Sequence, residues 1–139
     1  MKTTIIATGK LKERYWREAC EEYAKRLSAS MKLTVTEVAD DDVARALPQR
    51  AWIVALAISG TQRSSEELSA HLEELKLRGQ SHLCFVVGGP QGLAPEVLAR
   101  ADEQLSFGPI TLPHDLARVV LLEQLYRAAT IAAGSPYHK

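Results

Sequence analysis

Two segments of this 139-residue chain have the composition needed to hold a flat ligand largely by main chain. Gly88-Gly89-Pro90-Gln91-Gly92 follows directly on the apolar run His82-Leu83-Cys84-Phe85-Val86-Val87. Glycines let a backbone approach a ligand to van der Waals distance and adopt positive φ, while Pro90 fixes one torsion and withholds a donor. Phe107-Gly108-Pro109-Ile110-Thr111-Leu112-Pro113-His114 is a second backbone-rich turn, also placed after a strand, and two such loops can close on one ring. The last three residues, Tyr137, His138 and Lys139, offer a phenol, an imidazole and a cation, a set suited to proton transfer and anion contact. Tight turns without a ligand and a frayed tail are the competing readings of the same residues.

Other chemistries find no support in the residue pattern. The spacing Gly88, Gly89, Gly92 is not the GxGxxG fingerprint of a dinucleotide fold, and no acidic residue ends a following strand. Gly9-Lys10 is followed by Leu11 and lacks the earlier glycine of a Walker A loop. His71, His82, His114 and His138 are too scattered for a metal site, so no metal is expected. Cys20 and Cys84 each sit in an apolar pattern and read as reduced, buried thiols. No apolar stretch approaches the ~20 residues that span a bilayer, and the start reads as a strand rather than a signal peptide. A cytoplasmic protein without a membrane role is expected.

The formal net charge is zero, which argues against gripping nucleic acid by charge alone. Its distribution is uneven: residues 1–32 carry eight Lys/Arg against four Asp/Glu. Lys10, Lys12, Arg14 and Arg17 make a basic end on or beside the first helix, which a solvated helix face also explains.

The elements that must position these residues alternate. Strands are expected at 3–8, 33–38, 51–58, 82–87 and 104–107, and helices at 12–28, 64–79, 95–102 and 115–133, with one helical turn near 43–47 ended by Pro48. Ser64 and Glu67 suit a capping box and Gly79 a left-handed cap. This order predicts one α/β domain over 1–139 with a mostly parallel sheet flanked by helices. The last helix is apolar on almost every side, through Leu116, Val119, Val120, Leu121, Leu122, Leu125, Ala128, Ala129 and Ile131. One sheet face cannot cover all of it, and a homodimer is the simplest second surface. Glu123 and Arg127 are spaced to pair on that helix.

Taken in order, Val86-Val87-Gly88-Gly89-Pro90-x-Gly92, Leu105-Ser106-Phe107, Thr111-Leu112-Pro113-His114, Arg118-Val119, Glu123-Gln124-Leu125-Tyr126-Arg127-Ala128 and Tyr137-His138 resemble the bacterial large-subunit rRNA pseudouridine N3-methyltransferases. The resemblance continues upstream through Ser64-Ser65-Glu66-Glu67, Gly9-Lys10 and Glu22-Tyr23-x-Lys25-Arg26-Leu27, and so covers nearly the whole chain. It implies a SPOUT-type fold with a C-terminal trefoil knot, a homodimer, S-adenosylmethionine as cofactor, and action on 23S rRNA in assembled ribosomes.

By that resemblance, Leu56, Gly88, Gly89 and Phe107, Gly108, Pro109, Ile110, Thr111 and Leu112 line the cofactor pocket. His138 and Tyr137 are the implied catalytic pair, reaching the target nucleotide from the neighbouring subunit. Lys10, Arg14, Arg127 and Lys139 are the candidate RNA contacts. The chain departs from the family pattern at Ala57, where relatives usually have Asp, and in the short segment from Val38 to Ala51, which opens with three aspartates rather than a longer basic stretch. Lys139 stands where relatives can carry arginine and a further residue. Two alternatives stay open: a non-catalytic dimeric module that binds an adenosine compound, and a SPOUT methyltransferase with another RNA target.

Overall fold

The structure, a computed structural model, describes residues 1–137. Its elements follow the order β1 (Lys2–Thr8), α1 (Arg14–Leu27), β2 (Lys32–Val38), α2 (Val43–Ala46), β3 (Trp52–Gln62), α3 (Ser65–Leu77), β4 (His82–Val87), α4 (Pro95–Arg100), β5 (Glu103–Ser106) and α5 (His114–Ala132). The five strands pair in parallel in the spatial order β2-β1-β4-β3-β5, which puts β4 at the centre.

Alternation along the strands sorts the core into two layers. Ile5, Ala7, Val54, Leu83, Phe85 and Val87 join Leu27, Leu72 and Leu125 under α1, α3 and α5. Ile6, Ile53, Cys84 and Val86 point the other way, onto Val43, Leu47 and Val97 beside α2 and α4. A strand buried on both faces must be apolar at successive positions, and β4 is. Helix α3 ends as its sequence predicts. Ser64 Oγ accepts from the Glu67 amide at 3.0 Å, Glu67 Oε1 accepts from the Ser64 amide at 2.7 Å, and Gly79 takes φ +92°.

Two element limits differ from the pattern for identifiable reasons. Helix α1 begins at Arg14 rather than Lys12, because Leu11 turns into the core and Arg17 holds the carbonyls of Leu11 and Lys12. Strand β3 runs past Ile58 to Gln62: after an irregularity between Leu56 and Thr61 the chain returns to pair Thr61 and Gln62 with Leu105 and Ser106. That pairing is made by backbone under polar side chains, so hydrophobicity does not mark it.

Helix α5 lies against both α1 and α3, with Leu121, Leu122, Leu125 and Ala128 buried. Leu116, Val119 and Val120 remain partly exposed, and they are what a second surface would cover. Among the described residues no helix is long and apolar enough to cross a membrane.

Candidate functional site

In a parallel sheet the strands finish on one side, and there the outer half of β3 meets the segments after β4 and β5. They enclose a cavity of about 630 Å³, within the ~300–1,000 Å³ usual for small-molecule sites. Leu56 to Ser59 form one wall, Val87 to Pro90 with Gly92 and Leu93 a second, and Phe107, Gly108 and Ile110 to His114 a third. Of the residues expected from the sequence, Leu56, Gly88, Gly89, Phe107, Gly108, Ile110, Thr111 and Leu112 line this one cavity. Pro109 sits exposed in the same turn and is not part of the lining.

The glycines do different work from one another. A Cβ on Gly88 would stand 2.8 Å from the carbonyl of Gly92, so the loop closes on itself only if position 88 is bare. The Gly92 amide completes the turn by donating to Gly89 O at 2.9 Å. Positive φ is used at Gly92 (+74°) and Gly108 (+106°) and not at Gly88 or Gly89. Gly89 is instead a packing position: its missing Cβ would lie 3.2 Å from Thr8 Cγ2 and 3.4 Å from Asp40 Oδ1.

Two buried polar residues, quoted above only as part of the resemblance and given no role there, brace the site and its surroundings. Ser106 Oγ accepts from the Gly108 amide at 3.0 Å and donates to Ile58 O at 3.0 Å, tying the late turn to the β3 extension. A serine two residues before a glycine at a strand end is a recognisable turn signal. Arg118, only 3% exposed, donates to Glu37 Oε2 at 2.5 Å and to Gly9 O at 3.0 Å. An arginine inside an apolar helix gives no sequence sign that it is buried.

The cavity wall is apolar and backbone-rich, and among the described residues His114 is its one ionisable lining side chain, with Nε2 3.1 Å from Asp115 Oδ1. Among the described residues no carboxylate lines it, and Ala57 occupies the position after Leu56. Main-chain donors and acceptors beside apolar walls suit a nucleoside-like ring, so the lining fits the adenosine portion of S-adenosylmethionine. Among the described residues no cluster of three potential metal ligands occurs.

Tyr137 is not brought to the cavity of its own chain. Its hydroxyl donates to Glu123 Oε2 at 3.1 Å, its ring meets Tyr126 edge-on at 4.6 Å between centroids, and the Arg127 guanidinium lies 5.1 Å from its ring centroid. Burial, followed by hydrogen bonds with Tyr23 and Glu123, pushes its phenol up to about 12. Arg127 also pairs with Glu123 at 2.7 Å, as their spacing predicts. Lys10 and Arg14 are exposed, and Arg14 pairs with Glu18 at 2.6 Å. His138 and Lys139 lie outside the described residues.

Comparison with known proteins agrees with this architecture. A family described as "Predicted SPOUT methyltransferase" matches residues 1–138. A protein of Bifidobacterium adolescentis named ribosomal RNA large subunit methyltransferase H is 45% identical over a 159-position alignment that covers 100% of both chains. Among solved structures, a "probable methylase family protein" of Haemophilus influenzae shares the fold with a TM-score of 0.60 at 12% identity, covering 95% of this chain and 66% of that one. A Legionella pneumophila protein solved in complex with the bound cofactor SAM has a TM-score of 0.50 at 13% identity, covering 93% of this chain and 66% of its own.

Proposed function

The chain belongs to the SPOUT methyltransferase family, and from that premise we propose that it methylates N3 of a pseudouridine in 23S rRNA on assembled ribosomes, with S-adenosylmethionine as donor. The observation that carries the reading is full-length similarity to a large-subunit rRNA methyltransferase, joined to two loops that wall a single apolar cavity. The proposal includes a single knotted domain, working as a cytoplasmic homodimer without metal.

S-adenosylmethionine would supply a methyl group already activated by a sulfonium centre, so the protein's task is alignment and removal of one proton. The Gly88–Gly92 turn and the Phe107–Leu112 turn offer main-chain groups to the ring, while Leu56, Leu93 and Leu112 exclude water. His138 from the neighbouring subunit takes the N3 proton, a role that a neutral imidazole can fill. Tyr137 stays protonated there, its phenol being raised to about 12, and serves as donor and anchor rather than base. The methyl transferred to N3 thus replaces the proton taken by His138.

The test uses methyl-labelled S-adenosylmethionine with large ribosomal subunits that lack the modification. Label on a pseudouridine N3, located by mass mapping, supports the reading. Label on another nucleotide redirects the target, and cofactor binding without any transfer favours a binding module.

A further inference from the structure

The turn between β1 and α1 is held with unusual care for a surface segment. The Gly9 amide donates to Val38 O at 2.8 Å and Gly9 O accepts from the buried Arg118 at 3.0 Å. Arg17 donates to Leu11 O at 3.2 Å and to Lys12 O at 2.6 Å, and Leu11 is buried beneath them. All of these ties reach backbone. The side chains of Lys10 and Lys12 are exposed and enter no ion pair among the described residues, while the Tyr15 ring is 62% exposed beside Trp16, 4.9 Å away edge-on.

This turn adjoins the cavity. Thr8, which leads into it, packs on Gly89, and Arg118 lies one helical turn beyond the cavity-lining His114. Over residues 9–18 there are four cations against Glu13 and Glu18, and Glu18 is engaged by Arg14. A fixed backbone that displays unpaired ammonium groups and a bare aromatic face is complementary to single-stranded RNA, whose phosphates seek cations and whose unstacked bases seek rings. The substrate chemistry demands such a strand. N3 lies on the pairing edge of the base, so a target methylated there is unpaired.

We propose that the Gly9–Tyr15 turn grips the substrate RNA, with Tyr15 stacking on an unpaired base beside the target and Lys10 and Lys12 meeting flanking phosphates. The inference rests on the reading of the protein as an RNA methyltransferase. Arg17 and Arg118 act as positioning residues that hold the turn against the cavity wall. A protein partner is the competing occupant.

Initial rates of methyl transfer to large subunits, at varied subunit and salt concentration, test it. Tyr15→Ala is expected to raise KM for the subunit about tenfold, with Tyr15→Phe restoring it because the ring is kept. Lys10→Ala with Lys12→Ala is expected to raise KM and reduce the logarithmic salt slope by about 1.4 to 1.8. Calorimetric affinity for S-adenosylmethionine stays unchanged in each, and Lys25→Ala, on the far end of the same helix, leaves KM unchanged. Equal KM for wild type, Tyr15→Ala and the double lysine variant overturns the proposal, as does a Tyr15→Ala protein that turns monomeric in native mass spectrometry. If wild type fails to methylate subunits, the parent reading falls by itself, and direct binding of an RNA hairpin to the same variants still decides the surface.

Discussion

Tyr137 and Glu123 are joined by a 3.1 Å hydrogen bond to the carboxylate oxygen that also holds Arg127. One acid thereby fixes a phenol and a guanidinium at the point where the chain leaves α5 for its last residues. The tail starts from an anchor and not from a loose end, and the anchor lies away from the cavity of the same chain.

The anchor has a pH signature. Tyr137's phenol is raised to about 12 in the folded protein, above the unfolded value near ~10, so its contribution to stability is intact below pH ~10 and lost as pH rises through about 12. Thermal melts in alkali should show wild type losing more stability across that window than Tyr137→Phe. Parallel curves would mean that the phenol ionises as freely folded as unfolded.

Adjacent glycines should fail differently. Gly88→Ala places a Cβ 2.8 Å from the Gly92 carbonyl, which forces the loop open, and S-adenosylmethionine affinity should fall more than about tenfold by calorimetry. Gly89→Val presses on Thr8 and Asp40 and should cost about 1–3 kcal/mol of stability, seen in denaturant unfolding. Interchanged effects would contradict the assigned roles.

Shared sites can be counted. When Gly88→Ala subunits are mixed with subunits truncated after Pro136, neither homodimer should work. With tails crossing to the neighbouring pocket, half the dimers are mixed and one site in each is intact. Co-expression should therefore restore roughly a quarter of wild-type activity, as two-fold symmetry requires. Background activity in confirmed mixed dimers would place each tail in its own pocket.

Both thiols should be inert in the native state. Burial pushes Cys84 up to about 12 and Cys20 up to about 11, which leaves almost no thiolate at neutral pH. A chromogenic disulfide reagent should react slowly with the folded protein and with two thiols in denaturant. Fast reaction of Cys20 in the folded protein would show that α1 opens.

The strands and helices were legible because their signals are local: alternation from Leu33 to Val38, the cap at Ser64, the apolar run of β4. The glycine and proline turns were legible for the same reason. Their meeting in one cavity depends on β4 lying beside β3 and β3 beside β5, an order that no local pattern carries. That Gly89 also admits Thr8 was not legible, because a glycine facing a neighbouring side chain and one facing a cavity read alike in sequence. Arg118 was silent as to burial, since its partners Glu37 and Gly9 are distant in sequence and only the fold joins them.

The central place of β4 has a consequence for how the molecule comes into being. β1 and β3 do not pair with each other, so until residues 82–87 exist the chain holds a β1–β2 pair and a solitary β3. Parallel strands far apart in sequence cost loop-closure entropy before their contacts form, which makes arrival of this one strand the pacing event of assembly. The Gly88–Gly92 turn is attached to its leading end. The protein therefore gains the middle wall of its ligand cavity in the same step that joins the two parts of its sheet, and the last wall follows with the turn after β5.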